Sequence, residues 1–193
     1  MSISRFFYDC EFLEDGRTID LISIGMVADD DREYYAVVSD APWDRIRRHP
    51  WLMQNVAPSL PGSTPITPFG VPADQPEKAK PGVEWLWGLD FLDACVKPKW
   101  VIANEVRNFL LSGDGEPELW AWYAAFDHVA LAWLWGPMID LPKGIPMFTK
   151  DLKQRTDDLG NPTLPEQAAG EHNALEDARH NAVRARFLDA LQP

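Results

Sequence analysis

Apolar and polar positions alternate in distinct periods along this chain, and the periods divide it into elements. Ile3 to Phe12 carries the run Phe6-Phe7-Tyr8, whose aromatic side chains favour extended backbone, and it predicts a first strand. Ile19 to Val27 is rich in Ile, Leu and Val and predicts a second. Asp29-Asp30-Asp31 is a turn signal, and Glu33 to Val38 follows as a third strand, so the N-terminal part reads as a three-stranded meander. Pro42 to Trp51 predicts a helix entered at Ala41-Pro42. Lys99 to Leu111 predicts another, with Val101, Ile102, Val106, Phe109 and Leu110 at helical spacing and Gly113-Asp114-Gly115 as its stop.

Glu118 to Tyr123 predicts a strand, and Asp127 to Trp135 a helix ended by Gly136-Pro137. Phe148 to Arg155 predicts a short helix and Asn161 to Pro165 a loop. Ala174 to Leu191 predicts a closing helix with Leu175, Ala178, Val183 and Phe187 on one side. This order of strands and helices predicts an α/β fold, a mixed sheet with helices on its faces. Between residues 57 and 81 no period holds. Pro58, Pro61, Pro65, Pro68, Pro72, Pro76 and Pro81 crowd that stretch, which reads as an irregular surface insertion within one domain spanning residues 1–193.

Composition changes this picture in a few places. A chain of 193 residues, 46% of them hydrophobic, can bury a core without staples. Two cysteines, Cys10 and Cys95, offer neither metal-binding spacing nor a disulfide framework, and a reducing cytoplasm is the expected setting. No N-terminal signal segment and no membrane-spanning run is expected. The tryptophans at 120, 122, 133 and 135 read as core. The formal net charge is −12, which disfavours tight non-specific binding to polyanions. A nucleic-acid enzyme can still be acidic where metal ions supply the local positive charge. Arg45, Arg47 and Arg48 beside His49 form the densest basic run, open to reading as a nucleic-acid patch or a solvated helix face.

Three short motifs carry chemistry. In Asp9-Cys10-Glu11-Phe12, residues two apart on a strand share a face, so Asp9 and Glu11 project side by side. Two carboxylates that close repel unless a cation lies between them, and a hard divalent ion with oxygen ligands meets that need. Alone, Asp-x-Glu equally describes two solvated acids on an edge strand. Asp127, in Phe126-Asp127-His128, follows a strand and opens a helix; alone it is also a common capping acid. His172 precedes the last helix and Asp177 lies in that helix's first turns, a pattern that a capping cluster with a surface histidine also produces.

Taken in order, these motifs make a more specific pattern. Asp-x-Glu on a first strand, Phe-Asp at a strand-to-helix junction and His-x-x-x-x-Asp near the C-terminus resemble the DEDDh exonucleases of the ribonuclease H-like superfamily. The resemblance runs from Arg5 to about residue 188. Phe7-Tyr8-Asp9-Cys10-Glu11-Phe12, Ile19-Asp20-Leu21-Ile22-Ser23-Ile24-Gly25, Leu119-Trp120-Ala121-Trp122 and Leu134-Trp135-Gly136-Pro137-Met138 are similar to the actinobacterial polyadenylate-specific 3′-exoribonucleases, a ribonuclease T-like group. Tyr123 departs from the wider pattern, where many members have Asn four residues before the second-motif Asp.

The resemblance implies a ribonuclease H-like mixed sheet and a metal-dependent 3′→5′ exoribonuclease releasing nucleoside 5′-monophosphates from single-stranded or overhanging 3′ ends. It further implies a preference for adenosine tails, with AMP as product, and a homodimer. Asp9, Glu11, Asp127 and Asp177 would hold two divalent ions, Mg²⁺ or Mn²⁺, with Asp9 bridging both. Glu11 and Asp177 would join Asp9 on one ion, and Asp127 would serve the other mostly through water. Such a pair, about 3.5–4 Å apart, stabilises both the attacking and the leaving oxygen of a phosphodiester. His172 would take the proton from the attacking water, since imidazole titrates nearest neutrality among side chains. Phe12 and Phe126 flank the acids and are candidates for stacking on terminal bases, worth about 1–3 kcal/mol per base, or for packing beneath the site. The alternatives are a 3′→5′ DNA exonuclease and an inactive nucleotide-binding module.

Overall fold

The structure is a computed structural model and describes residues 2–113 and 115–191. Asp114, part of the expected stop after residue 111, lies outside the described residues. Six strands form one sheet in the order β4-β3-β2-β1-β5-β6. β1 (Ile3–Glu14), β2 (Ile19–Ala28) and β3 (Glu33–Val38) are the antiparallel meander read from the sequence. β5 (Glu116–Ala121) pairs parallel to β1, and the two-residue strands β4 (Val96–Lys97) and β6 (Lys150–Asp151) add parallel edges. The fold class is therefore the expected mixed α/β sheet flanked by helices.

Alternation along β1 sorts its side chains onto two faces. Phe6, Tyr8 and Cys10 enter an apolar cluster with Ile24, Met26, Ile102, Val106 and Leu131, under α3 (Lys99–Leu111) and α4 (Ala125–Ala132). Phe7 points the other way, into a cluster with Val27, Leu152, Ala178, Ala182, Ala185 and Leu188 beneath α6 (Ala174–Ala190). Asp9 and Glu11 continue that second face. α6 packs closely because its contact residues are small and because Gly25 lies beneath its first turn. A Cβ on Gly25 would sit 2.3 Å from the backbone of Ala174.

Several boundaries differ from the sequence reading, each for a local reason. The helix expected over Pro42–Trp51 is two helices, α1 (Trp43–Ile46) and α2 (Pro50–Asn55). Pro50 forces His49 out of helical geometry, and the His49 ring accepts a hydrogen bond from Leu52 N–H as the N-cap of α2. β5 begins and ends two residues before the expected Glu118–Tyr123, because Tyr123 takes a positive φ of 54° and turns the chain. α4 starts at Ala125 and stops at Ala132, short of Trp135. The helix expected from Phe148 begins only at α5 (Leu152–Asp158), since Lys150–Asp151 pair with β5 and Asp151 caps α5. On α6, Val183 is exposed; the packed face runs through Ala178, Ala182, Ala185 and Leu188. Trp133 is exposed too, unlike the buried Trp120.

The Pro-rich stretch is irregular but tethered. It holds two short 3₁₀ turns, Ala57–Ser59 and Pro76–Lys78, and isolated bridges from Gly62 to Leu89 and from Ile66 to Leu86. Leu60 and Ala79 join Trp43, Ile46, Met53, Trp85 and Trp87 in a third apolar cluster. Among the described residues no helix is long and apolar enough to cross a membrane. Cys10 and Cys95 are free thiols.

Candidate active site

β1 and β5 run side by side only as far as Phe7 and Trp120. Beyond that point β5 turns away and leaves the Cys10 N–H without a strand partner. Asp127, in the first turn of α4, fills the gap: its Oδ1 accepts from Cys10 N at 2.9 Å. Asp127 is thus a buried acid fastened to β1, and no side chain caps its helix. A register shift between Glu11 and Phe12 in the β1–β2 pairing lies beside the acids.

Asp177 reaches the same place from the first turn of α6. Its Oδ1 accepts from Gln167 Nε2 at 2.7 Å and its Oδ2 from the His172 backbone N–H at 2.9 Å. Carboxylate oxygens of Asp9, Glu11 and Asp177 lie within 4.8 Å of one another. Together with Asp127, His172, Gln167, Glu171 and Arg184 they line a cavity of about 330 Å³. Larger hollows, about 590 and 650 Å³, open elsewhere. In the first, Lys150 is paired with Glu118 and Arg155 with Asp189.

Burial and mutual repulsion dominate the electrostatics. Burial, then the neighbouring Asp127, Glu11 and Asp177, hold the Asp9 carboxyl well above the usual carboxylate range. Burial with Asp177 and Asp127 pushes Glu11 to about 8. Burial lifts Asp127 to about 7 against the pull of its backbone hydrogen bonds. Asp177 is raised by burial, tempered by Gln167 and the His172 N–H. Four acids that resist joint ionisation, with oxygen donors converging, fit a hard divalent cation. Asp9, Glu11 and Asp177 could share one ion. Asp127, whose Oδ1 accepts from Cys10 N, lines the same cavity.

His172 is the one histidine of four that lines this cavity. His49 caps α2, His128 bonds Thr149 at 3.0 Å, and His180 is buried in α6. His172 sits at a positive φ of 63°, a conformation uncommon outside glycine. Neighbours hold it there. Ser59 Oγ donates to its carbonyl at 2.7 Å, and the Trp51 ring meets the imidazole edge-on at 4.9 Å. Ser59, inside the Pro-rich stretch, and Trp51, just before it, thus brace the histidine.

Phe12 and Phe126 stack on each other, ring centres 6.2 Å apart. Phe126 is exposed, whereas Phe12 also touches the apolar core. Sequence reasoning missed Gln167, Glu171 and Arg184. One signal was available: Asp177, Asn181 and Arg184 are spaced i, i+4, i+7, which puts all three on one helix face. The basic run is resolved as a paired surface. Arg45 bonds Asp15 and Asp20, Arg47 bonds Asp44 and Glu84, and Arg48 bonds Glu84.

The fold is thus a meander extended by parallel strands, with acids gathered at the end of its central strand. No protein-family profile matches the chain. Two curated relatives from Mycobacterium tuberculosis are the 3′-5′ exoribonuclease Rv2179c of strain H37Rv and the 3′-5′ exoribonuclease MT2234.1 of strain CDC 1551. Each is 41% identical over 185 residues, covering 95% of this chain and 92% of the relative. The chain belongs to the family of these 3′-5′ exoribonucleases. Among solved structures, S. pombe Pop2p in its Mg²⁺- and Mn²⁺-bound form aligns with 96% of this chain and 81% of its own at 12% identity, with a TM-score of 0.42. That likeness is slight.

Proposed function

We propose that the chain is a metal-dependent 3′→5′ exoribonuclease of the DEDDh type. The observation that carries the proposal is the convergence of Asp9, Glu11 and Asp177 within 4.8 Å at the end of β1, in a cavity that Asp127 and His172 also line. Kinship with proteins named 3′-5′ exoribonucleases supports it. Asp9, Glu11, Asp127 and Asp177 would hold Mg²⁺ or Mn²⁺, two ions by the resemblance. Bound there, the ions would lower the pKa of the attacking water and stabilise charge on the phosphate.

The remaining work falls to the chain. His172 removes a proton from the attacking water as its oxygen bonds to phosphorus. The bond from phosphorus to the O3′ of the preceding nucleotide breaks. That oxygen takes a proton from solvent to become the new 3′-hydroxyl, and a nucleoside 5′-monophosphate is released. Ser59 and Trp51 keep the imidazole over the acids. Phe126 presents an exposed ring on which a terminal base can stack. A preference for adenosine tails and a homodimeric state, both implied by the resemblance, complete the proposal; sedimentation at working concentration tests the second.

The deciding experiment is digestion of 5′-labelled single-stranded RNA and matched DNA with Mg²⁺, with Mn²⁺ and with chelator. Stepwise shortening of RNA from its 3′ end, release of 5′-monophosphates and silence under chelator are expected. Equal or faster loss of DNA would move the assignment to a DNA exonuclease, and no loss of either would leave an inactive binding module.

A further inference from the structure

Cations in this acidic chain are mostly neutralised where they stand. Of its 11 arginines, eight touch a carboxylate. Arg17 and Arg107 are exposed at the surface. Arg184 differs from both groups. It is partly buried, it lines the cavity of the four acids, and among the described residues it makes no ion pair.

Its placement is fixed from behind. Nη1 donates to Asn181 Oδ1 at 3.1 Å, and the buried Asn181 is itself tied by Nδ2 to the carbonyl of Tyr8, the residue before Asp9. The guanidinium carbon stands 4.4 Å from the centre of the Trp122 ring. Stacking and an amide bond hold the group in position without consuming its charge. Its Nε is buried and has no hydrogen-bond partner. A buried donor on a charged group is costly to leave unmatched. The acids facing it, Asp177, Asp9 and Glu171, attract its charge but form no contact with it. An oxyanion with several acceptor atoms would satisfy the guanidinium, and a cation held among the acids would relieve its repulsion with them.

We propose that Arg184 binds the phosphate of the scissile nucleotide, its free N–H groups donating to a non-bridging oxygen before cleavage and to the 5′-phosphate of the released monophosphate after it. This rests on the exonuclease reading of the same site. Trp122 and Asn181 are positioning residues for Arg184. The fork of an arginine suits phosphate better than a lysine would. The site thus carries a cation of its own beside any metal, in a chain whose basic surface run is already paired.

The experiment compares wild type, R184A, R184K and R184M in two measurements. In Mn²⁺ calorimetry with AMP and with adenosine, AMP binding is expected to weaken about tenfold or more in R184A and R184M while adenosine binding holds. R184K is expected to recover part of the loss. In RNA hydrolysis, KM should rise by a similar factor. An AMP-to-adenosine affinity ratio unchanged in both R184A and R184M, with melting curves showing folded protein, overturns the proposal. So does tighter Mn²⁺ binding as the sole change, which would mark Arg184 as a screen for the acids. Wild type that binds AMP through Arg184 but leaves RNA intact would sink the exonuclease reading and keep this one.

Discussion

The two faces of β1 start alike and end differently. Phe6, Tyr8 and Cys10 stay apolar to the end of their face, and the Tyr8 hydroxyl finds Thr149 Oγ1 at 2.6 Å. On the other face Phe7 is followed by Asp9 and Glu11, which converge with the further acids Asp127 and Asp177 and, among the described residues, form no ion pair. The first face is built for cohesion. The second gives up cohesion where the chemistry would sit, a common relation between function and stability. One strand does both because its side chains alternate every residue.

The sharpest way to break this contrast is Asp9→Asn. Hydrolysis should fall by far more than the roughly 10–100-fold typical of an outer metal partner. The chelated protein should nonetheless melt at a higher temperature than wild type, because a repelling charge is gone. A lower melting temperature would contradict the strain assigned to the acidic face. His172→Ala should cost about 10²–10⁴ in rate while leaving Mn²⁺ affinity near wild type; parallel loss of Mn²⁺ binding would mean that the histidine mainly shapes the acids.

On the cohesive face, Phe6→Ala should lower unfolding free energy by about 3–5 kcal/mol and leave the metal affinity of the folded fraction unchanged. Denaturant titrations with and without Mn²⁺ read both quantities. A smaller effect concerns pH. Glu11 and Asp127 hold their protons up to about 8 and about 7, above the ordinary carboxylate range. The folded, metal-free protein therefore binds more protons than the unfolded chain between about pH 4 and 8, and its stability should decline as pH rises through that window. Glu11→Gln should flatten the slope, and saturating Mn²⁺ should reverse it. A slope identical in Glu11→Gln would remove that acid from the account. The smallest change is Tyr8→Phe, about 1 kcal/mol of stability with activity retained.

Much of this was legible in the sequence, and the gaps have causes. The meander, α3 and the pairing of Asp9 with Glu11 follow from periods of two and 3.6, which local sequence carries directly. β4 and β6 are two residues each, too short for any period, and exist because neighbouring strands offer free edges. The split between α1 and α2 could have been read from Pro50. Bracing of His172 by Ser59 and Trp51 joins segments more than a hundred residues apart, beyond reach of any local pattern. The basic run drew attention as a string of like charges, yet its partners at Asp15, Asp20 and Glu84 decide its character, and only the fold brings them together. Arg184 was hidden for the opposite reason: a lone arginine on a helix is ordinary until its surroundings are known.

The seat of α6 over Gly25 has a bearing on how the site is assembled. Asp177 and His172 follow Asp9 and Glu11 by more than 160 residues, and they meet them only once α6 lies down on the sheet. The acid cluster is therefore incomplete in any state in which α6 is undocked. Gly25→Ala, which obstructs that docking, should sharply lower hydrolysis; full activity in this variant would show that the cluster closes without the helix in place.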